Sequence, residues 1–131
     1  THTYITETSA NVLRCVAGGS GGVDLTSGAT SWASVSDVRE KVEADFEPIT
    51  DALTKVASLR SVIGRYTADS PDRRRAFLIG QDVQAVLPEA VTESPDGVLS
   101  LAYTETIPLL VAALNEGSAR IEALEDALAA M

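Results

Sequence analysis

The sequence predicts an α+β chain in three parts: a short β-rich stalk end, a small mixed body of helices and a hairpin, and a long C-terminal helix suited to a coiled coil. Three observations carry this. The first 35 residues hold eleven Ser or Thr, five of the nine glycines and only three charges, Glu7, Arg14 and Asp24. From Ser36 onward apolar residues return at three- and four-residue steps, the spacing of helices with one buried face. The last segment keeps that spacing for about three and a half heptads, longer than a one-sided surface helix needs.

In the first part, Thr, Tyr, Ile and Val favour pleated backbone while Gly and Ser clusters interrupt it. Residues 3–8, 12–16 and 23–26 therefore read as short strands, with the run 18–22 as a flexible turn. So small a segment buries little alone, which suits a stalk end sharing its core with neighbouring chains. Asp37 followed by Glu40 has capping-box spacing, predicting a helix from about Val38. Pro48 suits a first helical position, and Ile49, Leu53, Val56 and Leu59 extend an amphipathic helix to about Arg60. Residues 61–66 and 76–79 flank a polar loop, 68–75, as a β-hairpin. Residues 81–87 predict a short helix stopped by Pro88. Pro95-Asp96-Gly97 is a turn leading to a strand over 98–103.

With Ile107 at an a position, Leu110, Leu114, Gly117, Ile121, Leu124, Leu128 and Met131 occupy the following d and a positions. Mixed Ile and Leu in this seam points to three strands, a homotrimeric coiled coil over 104–131. An intramolecular helix pair is the alternative. Gly117 weakens helix and seam by about 1 kcal/mol relative to Ala.

Composition removes several functions. Hydrophobic residues make up 45% and charged residues 22%, so the chain folds rather than remaining disordered. Nineteen acidic against ten basic side chains, a net charge of −9, oppose phosphate-backbone binding, so no nucleic acid is expected. One cysteine (Cys15) and one histidine (His2) leave no intrachain disulfide, no metal site and no His-based triad, and no cofactor is expected. No apolar run approaches the ~18–20 residues of a membrane span, so no membrane insertion is expected. The Thr-His-Thr-Tyr start has no secretory pattern, and the missing Met suggests a fragment of a longer chain. Arg73-Arg74-Arg75 reads as a solvated loop tip, and Trp32 as a residue packed at a subunit junction.

One stretch could carry chemistry: Ser36-Asp37-Val38-Arg39-Glu40-Lys41. A serine hydroxyl needs a base to take its proton. Without a usable histidine the chain offers lysine, whose ordinary pKa near 10.4 has to fall before it can act. In an ideal helix Ser36 and Lys41 would sit on different faces, but with Ser36 just ahead of the helix the lysine stem can lean back. Arg39 would favour neutral lysine, and free N–H groups at the helix start could hold an oxyanion. On spacing alone the stretch reads as a helix cap, with catalysis the minor alternative.

Gly28-Ala29-Thr30-Ser31-Trp32 leading into Ser36-Asp37-x-Arg39-x-Lys41 resembles the junction before the intramolecular chaperone of endosialidase, the C-terminal domain of many phage tailspikes and fibres. Glu47-Pro48-Ile49 with Ala52-Leu53, Gly80-Gln81-Asp82-Val83-Gln84, Val86-Leu87-Pro88-Glu89-Ala90-Val91, Asp96-Gly97-Val98-Leu99-Ser100 with Tyr103, and Ile107-Pro108-Leu109-Leu110 continue the resemblance in order. It implies a chaperone domain over 36–131 after a stalk end over 1–35, a homotrimer acting on the stalk of its own chain, and a place in the tail fibre or spike of a virion made in the host cytoplasm. It further implies autoproteolysis at Val35–Ser36, with Ser36 as nucleophile, Lys41 as general base, and Asp37, Arg39 and Gln81 as supporting motif residues. The trimer seam would be Ile107, Leu110, Leu114, Ile121, Leu124 and Leu128. Glu40 stands where the family commonly has an apolar residue. A permanent, non-cleaving trimerisation cap and a receptor-binding tip are the alternative functions.

Overall fold

Four short strands follow one another as an antiparallel meander: β1 (Tyr4–Ser9), β2 (Val12–Val16), β3 (Val23–Thr26) and β4 (Ala33–Ser34). Chain polarity reverses between β1 and β2 at Asn11, whose φ of 66° and N–H bond to Glu7 Oε1 (3.0 Å) close the turn. Arg14 and Asp24 stand opposite each other on β2 and β3 and form a two-point ion pair at 2.6 Å. β4 went unpredicted, because Ala33-Ser34 carries no β signal of its own and is extended through its pairing with β3. The computed structural model describes residues 2–19 and 21–131. Ser20, inside the expected glycine turn, lies outside them.

After β4 the chain makes two three-residue 3₁₀ turns, Val38–Glu40 and Glu43–Asp45. This corrects the helix expected from Val38. Val38, Val42 and Phe46 are all exposed, and a helix this short needs a packed face to persist. These residues complete the first of two compact units, which ends at Glu47; the second runs from Pro48 to Met131.

The second unit holds α1 (Ala52–Ala57), a hairpin of β5 (Ser61–Gly64) and β6 (Arg75–Leu78), α2 (Gly80–Val86), a second hairpin of β7 (Val91–Glu93) and β8 (Leu99–Leu101), and α3 (Tyr103–Ala129). α1 is shorter than the helix expected from Pro48 to Arg60. Asp51 adopts a left-handed conformation (φ 52°) that breaks the chain ahead of it, and the cap comes from far away. Glu116 on α3 accepts the Ala52 and Leu53 N–H groups through its two oxygens, both at 2.9 Å. The predicted apolar run is nevertheless the one that packs: Ile49, Leu53, Val56 and Leu59 surround the buried cluster Ala52, Leu109 and Ala113. The expected strand 98–103 ends at Leu101, and Tyr103 instead opens α3; its partner strand β7 was not expected. Arg75 is also not a solvated tip, since it is half-buried, pairs with Asp69 at 2.7 Å and lies over the Tyr66 ring.

α3 presents two apolar faces. Thr106, Leu109 and Ala113 are buried, and Glu116 reaches α1 from the same side. Ile107, Leu110, Leu114, Ile121, Leu124 and Leu128 lie roughly a quarter turn away at about 100° per residue, and all are exposed, Leu114 by 73%. The intramolecular helix pair and the heptad seam therefore occupy different faces.

Candidate self-cleavage site

Ser36 and Lys41 meet: Lys41 Nζ donates to Ser36 Oγ at 2.7 Å. The tight turn between them makes this possible. Ser36 precedes it, Lys41 leaves it with extended backbone (φ −123°, ψ 157°), and the lysine stem folds back over the turn. Both side chains are open to water in the single chain. In this contact the amine donates, and transfer of the serine proton to Lys41 would require a neutral amine at the same separation.

Asp37 and Arg39 organise the turn. Asp37 Oδ1 accepts the Arg39 N–H at 2.9 Å, and the Arg39 guanidinium grips both carboxylate oxygens at 3.0 and 2.7 Å. These side-chain bonds, then the backbone bond, hold the Asp37 carboxyl below its ordinary range, with the Lys41 charge adding to the effect. Arg39 is thus not the free cation expected beside Lys41; its charge is compensated locally. Its N–H is unavailable as an oxyanion donor, and those of Glu40 and Lys41 bond to the Asp37 and Val38 carbonyls. Glu40 acts on other partners: Arg14 is raised first by Asp24 and Arg39 first by Asp37, and Glu40 adds to both.

On the other side of the candidate bond, Val35 is half-buried and its N–H donates to the Gly22 carbonyl at 2.9 Å, continuing the β3–β4 ladder by one residue. A shallow cavity of about 430 Å³, edged by Arg14, Asp37, Arg39 and Glu40, borders Val35. Gln81 lies in the second unit, exposed in the first turn of α2, where it lines a groove with Tyr66, Phe77 and Tyr103. Trp32 is exposed, and Cys15 is a free thiol on β2. Among the described residues no cluster of His, Cys, Asp or Glu could hold a metal, and no helix is long and apolar enough to cross a membrane. Sequence reasoning missed Gly22 and Glu116. Gly22 is hidden among other glycines, and Glu116 acts on residues more than sixty positions away.

Along the chain, the Ser36–Lys41 contact falls after the four-stranded meander and before the helix-rich second unit. Residues 36–92 match the family model described as Chaperone of endosialidase, a peptidase family by name. The chain is also 38% identical over 100 residues to the long tail fiber protein Gp37 of Enterobacteria phage K3, covering 71% of this chain and 8% of the relative. The same protein of Enterobacteria phage T2 matches at 38% over 100 residues, covering 71% of this chain and 7% of the relative, and that of Escherichia phage AR1 at 37% over 87 residues, covering 62% and 8%. The chain thus spans less than a tenth of the length of these curated relatives.

Proposed function

We propose that this chain is the C-terminal chaperone segment of a phage tail fibre or spike, and that it trimerises, aligns the β-rich stalk before it, and cuts itself at Val35–Ser36. On this reading residues 1–35 are the stalk end and 36–131 the chaperone. The observation that carries the chemistry is the 2.7 Å approach of Lys41 Nζ to Ser36 Oγ. Ser36 Oγ attacks the carbonyl carbon of Val35 through a five-membered ring, Lys41 takes the hydroxyl proton, and the C–N bond breaks as the Ser36 nitrogen is protonated. The resulting ester is hydrolysed by water, leaving a Val35 carboxylate and a Ser36 amine. In the single chain the dyad is open to solvent, so assembly has a clear part to play. A neighbouring copy covering it would exclude water from the dyad. The exposed heptad residues of α3 supply the drive for that assembly, and the tail-fibre relatives support a place in the virion.

Denaturing mass spectrometry of the freshly made full chain tests this. A product beginning at Ser36 is expected, and Ser36→Ala or Lys41→Ala should leave the chain at full length while still trimeric by light scattering. If the unaltered protein shows only the intact mass after prolonged incubation, autoproteolysis is wrong and the permanent cap takes its place.

A further inference from the structure

We infer that Gly22 is a positioning residue for the self-cleavage step, its peptide carbonyl clamping the residue whose carbonyl is attacked. The inference rests on the autoproteolytic reading above and adds to it a group outside the serine–lysine pair. β4 contributes only Ala33 and Ser34 to the ladder with β3, opposite Asp24 and Val23. The next residue, Val35, is held by one bond, from its N–H to the Gly22 carbonyl at 2.9 Å. The candidate scissile peptide begins at the other end of Val35. With the Val35 N–H pinned, the carbonyl carbon cannot swing freely about the chain axis and stays within reach of Ser36 Oγ, itself held by Lys41. The two halves of the reacting bond are thus fixed by different parts of the same unit, an orientation effect rather than a chemical one.

Residue 22 has to be glycine for this. Its φ is +119°, and an added Cβ would fall 2.5 Å from the Cys15 carbonyl oxygen and 3.1 Å from Val16 Cγ2, both on β2. Backbone lies on one side, so relief requires the residue 22 peptide to move, and its carbonyl with it. Gly28 separates the two effects. It also has positive φ, +76°, but nothing lies within 4 Å of an added Cβ.

The test uses the full chain in two backgrounds. In the cleaving protein, Gly22→Ala should slow appearance of the Ser36 product by about ten- to a hundredfold, the size of effect expected from misplacing reacting atoms by an ångström or so. The trimer fraction and the pH midpoint of the rate should not change, because assembly and the dyad are untouched. Gly28→Ala should stay within about twofold of the parent. In the non-cleaving Ser36→Ala background, the Val35 amide should be protected from hydrogen exchange, and Gly22→Ala should remove that protection. A Gly22→Ala protein that cleaves at the parental rate overturns the clamp, as does an unprotected Val35 amide in the Ser36→Ala protein. A shifted pH midpoint or a lost trimer also overturns it, assigning Gly22 a general structural role. Val35 protection in a parent that never cleaves leaves the clamp standing as a strand-end contact and sinks the autoproteolytic reading alone.

Discussion

The two compact units hold their shape by different means. In residues 2–47 a single residue among those described, Val16, is fully buried, while Tyr4, Ile5, Leu13, Val38, Val42 and Phe46 are exposed. Backbone ladders link its strands, and the Arg14–Asp24 pair bridges β2 and β3. In residues 48–131, Ala52, Val83, Ala90, Leu109 and Ala113 are buried, and apolar side chains from α1 and α2 close over α3. Ser36, Lys41 and Val35 all belong to the unit with a single buried residue among those described, so their placement rests on local hydrogen bonds rather than on a packed core.

Cutting the chain between residues 47 and 48 should give two pieces with opposite behaviour. The 48–131 piece is expected to give a helical circular-dichroism spectrum and a cooperative melt. The 1–47 piece is expected to give neither, since a meander with one buried residue cannot offset its ordering entropy. A cooperative transition from the short piece alone would remove the contrast. Next in size is Leu109→Ala. Leu109 has 0% exposure at the centre of the α1–α3 contact, so urea denaturation should record a loss of about 2–5 kcal/mol.

The exposed face of α3 supplies a third test. Leu114→Glu together with Leu124→Glu should abolish assembly in light scattering, since each buried seam leucine is worth about 1.5–3 kcal/mol in area terms. Because neither residue belongs to the α1 face, the helical spectrum of the unit should survive. Coincident loss of both would mean that the two faces are not independent.

The smallest expected effect concerns the long-range cap. Hydrogen bonds from the Leu53 and then the Ala52 N–H hold the Glu116 carboxyl below its ordinary value, desolvation opposing them. A depressed folded value means the cap is fully present above the ordinary glutamate range. It is lost as pH falls through that range and on to the lowered folded value. Glu116→Gln should therefore lower the melting temperature at neutral pH, and the curves for parent and variant should converge in acid. Parallel curves at all pH values would show that the carboxylate charge is not what caps α1.

Legibility followed the range of the interactions. The strands β1 to β3, both strands of the first hairpin, the short helix before Pro88 and the long final helix were readable, because period and turn chemistry act within a few residues. The helix boundaries were less so. Pro48 is a sound local start, yet α1 begins at Ala52, where Asp51 breaks the chain and Glu116 supplies the cap. Val38–Glu40 has local capping chemistry and remains one turn, because nothing packs against it.

At the site, the residue types and their order were legible, and with them the resemblance to a self-processing chaperone. From the residues alone came the candidates for chemistry, the packed face of Ile49, Leu53, Val56 and Leu59, and the heptad spacing of apolar residues along the last helix. Folding alone brings Lys41 back to Ser36, spends Arg39 on Asp37, ties Val35 to Gly22, and seats α1 on the face of α3 away from Ile107, Leu114 and Ile121. The physical reason is that a residue's identity is local, whereas a hydrogen bond between distant backbone groups exists only once the strands and helices carrying them have been brought together.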